Sequence, residues 1–493
     1  MRGRKLLHNT ALLFGGDQIA NVLQFVLLFW VARSYGEAQM GLYNEALALA
    51  GLFVLLADFG VAEFTIREVA RGTDPTRALV ARALVIRAAG LAGALLLALA
   101  CVPLIQIDRP RETTVMLATL GLYLGCVSLG DVFLAEMKGL QRMGRVAATG
   151  VMARGVILAA GVGLILSGAS FTTIFTAFPL AGLAYLGLAA GLSIRELGPP
   201  PFRLVRRSDL RSMGAALVPF AAAILFNEAI SRQDVILLGR LWQPGALEEI
   251  GVYWAGLKIA TLFLGVSGFF QHAIYPMLSE MHVTAPEAMS RTCHQVTRYL
   301  LIGAFPISAG LYAIAPRLIP FLFKDRFAGS VPCLEIMSWV VVIGLTHSVF
   351  SALLSATGRQ YQKSISLAIN LALALTLNAL LIPFLGAVGA SVTRVSVEIA
   401  PLVMYGWLAH RAVPGWNPIP DAIRPGVASI VMIAAVRAVG AWPLPLAIAT
   451  GAAVYAATLL LIGGLPREDR IRLAAALPAR IARRVSPADG PRG

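Results

Sequence analysis

The segment FNEAISRQDVILLGRLW, Phe226–Trp242, carries Glu228, Arg232 and Asp234, with Asn227 and Ser231 beside them. It lies inside a run from Met213 to Leu241 that otherwise reads as a membrane-crossing helix. A charge in the hydrocarbon core costs at least about 2.5–3.5 kcal/mol on insertion scales, so such residues face a partner helix or a wet cavity, not lipid. Asn227, Ser231 and Asp234 are spaced i, i+4, i+7, which gathers them on one helix face. Arginine offers phosphate a planar fork and lysine a compact charge. Arg154, Arg232, Lys258 and Arg394 all fall within apolar runs and are the candidates to hold an anionic group. Glu228 and Arg232, at i, i+4, are also placed to pair with each other. Glu228, Glu398 and Asp58 are candidates for proton or sodium coupling. For Asp58 and Asp131, near cytoplasmic helix ends, solvation is the simpler reading, while Arg87, Arg317 and Glu335 can snorkel to an interface.

The elements that position these groups follow from composition. The chain has 493 residues, 58% of them apolar and only 14% charged, and a mean hydropathy of +0.75. Apolar runs of roughly 20 residues, long enough to cross a bilayer, recur along it. About fourteen such spans define an all-α integral membrane protein, with twelve as the alternative if the last two, joined by AWPLP, form one re-entrant pair. The expected organisation is an N-terminal six-helix bundle (1–198), a cytoplasmic linker (199–212), a C-terminal six-helix bundle (213–411), two further helices (412–464) and a basic tail (465–493).

Basic residues orient this arrangement. Outer loops hold only Arg33, Arg109, Arg111, Arg240, Lys324 and Arg326, whereas every inner segment carries Lys or Arg. Both termini are therefore expected in the cytoplasm. The net charge of +15 reflects topology and attraction to anionic lipid, not a nucleic-acid-binding domain, which would need a basic soluble module. The start, MRGRKLLHNTALLF, resembles a signal peptide, but Gly15, Gly16, Asp17 and Asn21 interrupt the run and point to a retained first helix. Cys101, Cys126, Cys293 and Cys333 are scattered and imply neither disulfides nor a metal cluster. No phosphate-binding loop and no H-E-x-x-H stretch occurs. His272 and His347 read as packing residues, and Gly121-x-x-x-Gly125 and Gly187-x-x-x-Gly191 as small-residue contacts between helices. The short outer loops leave little room for an enzyme active site.

An internal repeat organises the stripe. MGLYNEALALAGLF from Met40 and IGVYWAGLKIATLF from Ile250 share Gly, Tyr, Leu, Ala, Leu and Phe at an offset of 210 residues. That offset carries Asp17 onto Asn227, Asn21 onto Ser231 and Gln24 onto Asp234, so the first and seventh spans present matching polar faces. Six spans per unit in the same orientation place two bundles around an axis along the membrane normal.

At this level of detail the chain resembles the polysaccharide transporters, the Wzx-type oligosaccharide flippases, of the multidrug/oligosaccharidyl-lipid/polysaccharide (MOP) superfamily. Four stretches carry the resemblance: VARSYGEAQMGLYNEALA (31–48), LADFGVAEFTIREVAR (56–71), RQDVILLGRLWQPGALEEIGVYWAGLKIA (232–260) and SATGRQYQKSISLAINLALALTLNALLIPFLGAVGASVTR (355–394). The resemblance implies two six-helix bundles plus two helices in a bacterial inner membrane, alternating access and no cofactor. It implies an undecaprenyl-diphosphate-linked oligosaccharide, a polyprenyl-diphosphate-linked glycan, as cargo for O-antigen, capsule or exopolysaccharide synthesis. Membrane lipids, a polysaccharide polymerase and export machinery are the implied partners. In these flippases a cationic lumen receives the diphosphate. Arg154, Arg232, Lys258 and Arg394 are this chain's candidates, lined by Asp17, Asn21, Gln24, Asn227 and Asp234. Glu228, Asp234 and Glu398 depart from a purely cationic lumen. A lipid II flippase and a cation-coupled drug antiporter share the architecture and stand as alternatives. An O-antigen polymerase or ligase would need a large outer loop, and a structural scaffold would not need a repeated polar stripe.

Overall fold

The computed structural model describes residues 2–72, 76–101, 110–440 and 442–464; the basic tail with Arg480, Arg483 and Arg484 lies outside them. The described chain is helical: α1 Arg2–Tyr35, α2 Glu37–Asp58, α3 Val61–Arg71, α4 Thr76–Cys101, α5 Pro110–Gly139, α6 Met143–Leu166, α7 Phe171–Ile174 and α8 Ala177–Leu197. There follow α9 Arg207–Leu241, α10 Ala246–Thr284, α11 Pro286–Phe323, α12 Ser330–Met337, α13 Trp339–Ala356, α14 Gln360–Ala412, α15 Ile419–Ala438 and α16 Leu444–Leu461. Among the described residues, eleven segments are long and apolar enough to cross a membrane. One of them, within α14, bends at Gly386 (φ 53°, ψ −129°) and so counts as two. α9 and α10, of 35 and 39 residues, reach about 50–60 Å at about 1.5 Å per residue. They supply the remaining two passes of the fourteen-span reading.

Packing repeats with the sequence. α1 packs on α6 as α9 packs on α14, α2 on α5 as α10 on α13, and α5 on α8 as α13 on α14. α15 and α16 pack on each other and on α11. The two halves meet where α2 crosses α10, and the repeated glycines explain how closely. A Cβ at Gly41 would overlap the Leu247 carbonyl, and one at Gly251 would overlap the Glu37 carbonyl. Glu37 and Leu247 are themselves 210 residues apart. The contact is thus reciprocal: each half lays a bare helix backbone on the equivalent residue of the other. Glycine is the residue that permits such an approach.

Several expectations shift. The second apolar run, which by sequence alone reads as one span over 42–65, ends as helix α2 at Asp58, because Phe59 (φ 43°) and Gly60 (φ 76°) turn the chain into the separate amphipathic helix α3. A left-handed Phe costs about 1–3 kcal/mol and persists only where its surroundings impose it. α9 starts at Arg207, inside the stretch read as linker. Arg87 does not snorkel: it is 1% exposed and its guanidinium pairs with Asp58, so Asp58 is not merely a solvated helix end. Asp131 likewise accepts the Tyr185 hydroxyl at 2.5 Å. Arg317 turns its guanidinium to the carbonyls of Val436 (3.1 Å) and Trp442 (3.3 Å), tying α11 to the end of α15. Glu335 pairs with Arg437 at 3.6 Å. Gly121, Gly187 and Gly191 have nothing within 4 Å of a built Cβ, so these small-residue pairs are not the close crossings; Gly41 and Gly251 are.

Candidate functional site between the two halves

α1 of the first half faces α10 and α11 of the second, and α9 faces α2, α3 and α4. Gln18 of α1 lies against Gly265 of α10 near the middle of both helices. The sequence-predicted residues fall here into two groups.

The first group straddles the halves. Arg154 on α6 donates from Nε to Gln24 Oε1 on α1 at 3.0 Å, and the same amide lies against the buried Tyr43 hydroxyl. Asp17 and Tyr123 are within electrostatic reach of Arg154. So is Lys258, which α10 contributes from the other half. Arg154 and Lys258 are half-buried. Among the described residues neither has a carboxylate at ion-pair distance. Asp17, Asn21, Asn227 and Ser231 are exposed, and Ser231 Oγ spends its proton on the Asn227 carbonyl at 2.9 Å. Arg232 reaches the same region but is occupied: Nε donates to Glu228 at 2.8 Å, and NH1 donates to the Leu47 carbonyl of α2 at 3.3 Å. Its guanidinium lies over Gly51, where a Cβ would collide with it.

The second group is enclosed in the C-terminal half. Asp234, 2% exposed, turns away from Asn227 and Ser231. It accepts the Tyr253 hydroxyl and the Val235 N–H, the latter at 2.9 Å. Arg394 on the second limb of α14 stands by Asp234 and pairs with Glu398 one turn on, at 3.5 Å. Glu398 also receives His347 Nε2 from α13 at 3.0 Å, and the His347 ring stands edge-on to Tyr405. The limb that carries Arg394 and Glu398 is positioned by its kink: Glu249 Oε2 of α10 accepts the Ala387 N–H at 2.7 Å, capping the restarted helix.

Thus Arg154, Lys258, Arg232, Asp17 and Gln24 converge, whereas Asp234, Arg394 and Glu398 form a separate network, and Asp58 lies in neither. Tyr43 and Tyr253 escaped the sequence reading, although both stand in the repeated Gly-x-Tyr. His347 was read as a packing residue because its partner lies 51 residues away. Among the described residues, no group of three or more His, Cys, Asp or Glu side chains could hold a metal ion.

The fold is two pseudo-symmetric helical bundles with ionisable residues between them. Solved structures share it: lipid II flippase MurJ in an inward closed conformation superposes with a TM-score of 0.73 at 10% identity, covering 91% of this chain and 98% of that one. A MOP-superfamily transporter from Pyrococcus furiosus, described as having a binding pocket of reverse polarity, gives 0.59 at 13% identity over 84% of this chain and 98% of its own. Residues 6–282 match the family model described as polysaccharide biosynthesis protein, and the chain belongs to that family. The probable low-salt glycan biosynthesis flippase Agl15 of Haloferax volcanii is 23% identical over 433 residues, 83% of this chain and 87% of that protein. The family and the likeness to Agl15 mark the chain as a transporter, not an enzyme, and the first three of the four quoted stretches fall within the matched residues.

Proposed function

We propose that the chain is a flippase that carries a polyprenyl-diphosphate-linked oligosaccharide across the cytoplasmic membrane, with both termini in the cytoplasm. The observation that carries this reading is the Arg154–Lys258 pair: two half-buried cations, one from each half, near each other and without a carboxylate partner among the described residues. Like charges brought together away from bulk water call for an anion between them. A diphosphate supplies one, and Arg154, already steered by Gln24, can grip it through its remaining N–H groups. The exposed Asp17, Asn21, Asn227 and Ser231 offer sugars hydrogen-bonding partners along the same walls. Because the cations belong to different halves, alternating tilt of the halves would grip and release the head group while the prenyl tail stays in lipid. A polymerase and export machinery would act on the delivered glycan.

The test is lipid extraction from cells lacking the protein but retaining the glycosyltransferases that build the glycan. The expected result is a polyprenyl-diphosphate oligosaccharide trapped on the cytoplasmic leaflet, cleared by the wild-type chain but not by Arg154→Ala with Lys258→Ala. Absence of any trapped intermediate, with altered tolerance of cationic dyes instead, would replace the flippase by a drug antiporter.

A further inference from the structure

The segment that joins the two halves holds out apolar and cationic side chains together, and the site between the halves uses neither. It runs from Gly198, at the end of α8, to the first turn of α9. Both its ends are tied to α4. The Arg77 guanidinium donates to the Gly198 carbonyl, and it is itself held in the first bundle by Glu136 of α5 and Ser193 of α8, each at 2.8 Å. Arg82 pairs with Asp209 in the first turn of α9 at 3.4 Å. Pro199, Pro200 and Pro201 follow Gly198, and their rings lock φ and stiffen what lies between the two ties. The segment is therefore a strap, not a loose loop.

What the strap displays is held with it. On its single 3-10 turn, Phe202 is 53% exposed and Leu204 66%. Arg203, Arg206, Arg207 and Arg211 are exposed around them. Both carboxylates of the stretch 195–211 are taken, Asp209 by Arg82 and Glu196 by Arg142 and Arg145, which leaves the four arginines without a carboxylate partner among the described residues. Large apolar side chains held out by a pinned backbone are stabilised by an apolar layer and not by water. Arginines beside them suit phosphate, which their planar fork grips through two N–H groups. α8 and α9 are successive membrane passes, so the strap that joins them lies at the bilayer surface. There apolar side chains reach about 5–10 Å into the boundary between head groups and acyl chains. On the orientation proposed above this is the cytoplasmic leaflet, which carries the anionic lipid. An acidic protein would match the arginines, but lipid is the medium that surrounds the strap.

We propose that the strap is a binding site for anionic phospholipid: Phe202 and Leu204 enter the acyl layer, and Arg203, Arg206, Arg207 and Arg211 take lipid phosphates. The occupant is a lipid of the surrounding leaflet and not the cargo, because the ties run to α4, which carries no residue of the Arg154–Lys258 site. Bound lipid fixes the depth of the inner end of α9, the helix that brings Arg232 to the interface between the halves. The site does not depend on the flippase reading.

The test uses the full-length protein with its four native cysteines replaced by alanine and Leu204→Cys added, in phosphatidylcholine nanodiscs with or without phosphatidylglycerol. The readout is the rate of labelling by a water-soluble maleimide. Ala70→Cys, on the exposed side of α3, reports the general effect of a negative surface on a thiol. Phosphatidylglycerol should slow labelling at position 204 far more than at position 70. Each arginine is worth about a fivefold change in attraction to an anionic surface, so Arg203→Gln with Arg206→Gln should return most of the lost rate. Phe202→Ser should return it as well, without removing a charge. Equal slowing at positions 204 and 70, or slowing that survives both the arginine pair and Phe202→Ser, overturns the site. Protection of position 204 in native membrane vesicles but not in phosphatidylglycerol nanodiscs would assign the strap to a protein partner and overturn the lipid.

Discussion

The two halves place a tyrosine and a polar partner at matching positions, set each beside an arginine from a non-equivalent helix, and end with different machines. In the first half Tyr43 meets Gln24, and Gln24 meets Arg154. In the second Tyr253 meets Asp234, and Asp234 meets Arg394. Gln24 and Asp234 are equivalent by the 210-residue offset. A neutral amide directs Arg154 without cancelling its charge, so the cation remains available. In the second half Arg394 has the Asp234 carboxylate in reach and Glu398 paired with it at 3.5 Å, and the chain buries the set. The amide-for-carboxylate difference at the matched position, together with Glu398, goes with a half that offers charge and a half that stores it.

The largest expected effect comes from making the second half resemble the first. Asp234→Gln removes the charge that strengthens two buried hydrogen bonds, from the Tyr253 hydroxyl and the Val235 N–H, each worth about 1.5–3 kcal/mol with a charged acceptor, while Glu398 stays as the partner of Arg394. Thermal unfolding in detergent should show it, and an unchanged midpoint would mean that the network does not hold the half together. Next come Gly41→Ala and Gly251→Ala, each expected to cost about 1–3 kcal/mol by overpacking. The two losses should match, since each glycine meets the equivalent backbone; a loss at one alone would break the pseudo-symmetry of the crossing. Gln24→Asp makes the reverse exchange. It should pair Arg154 internally and cut flipping by about tenfold, roughly 1.4 kcal/mol of lost contact, with folding stability little altered. Full flipping by this variant would show that Arg154 need not be unpaired. The smallest effect is expected for Arg232→Ala: its partly exposed pair with Glu228 should be worth no more than about 1 kcal/mol, and clearance of the lipid-linked intermediate should persist.

What was legible in the sequence divides along similar lines. Apolar runs revealed the spans because a bilayer demands them, and the Gly-x-Tyr repeat revealed the two bundles because a close crossing demands glycine. The stripe was legible as a stripe, but spacing could not say which side of it met α10. Asp234 shares a face with Asn227 and Ser231 by period, yet α10 covers it with Tyr253 and leaves the other two exposed. Arg87 was misjudged because its partner Asp58 comes from a different helix, at the turn formed by Phe59 and Gly60. His347 was undervalued for the same reason: an ion pair across helices leaves no local pattern.

The glycine crossing also sets mechanical leverage. Gly41 and Gly251 lie within a turn or two of one end of their helices, while α10 continues for 33 residues beyond Gly251 to Thr284. At about 1.5 Å per residue that arm is about 50 Å long, so a rigid swing of about 10° about the crossing displaces its far end by about 9 Å. A fulcrum set so near one end turns a barely perceptible adjustment there into a gap several ångströms wide at the opposite end.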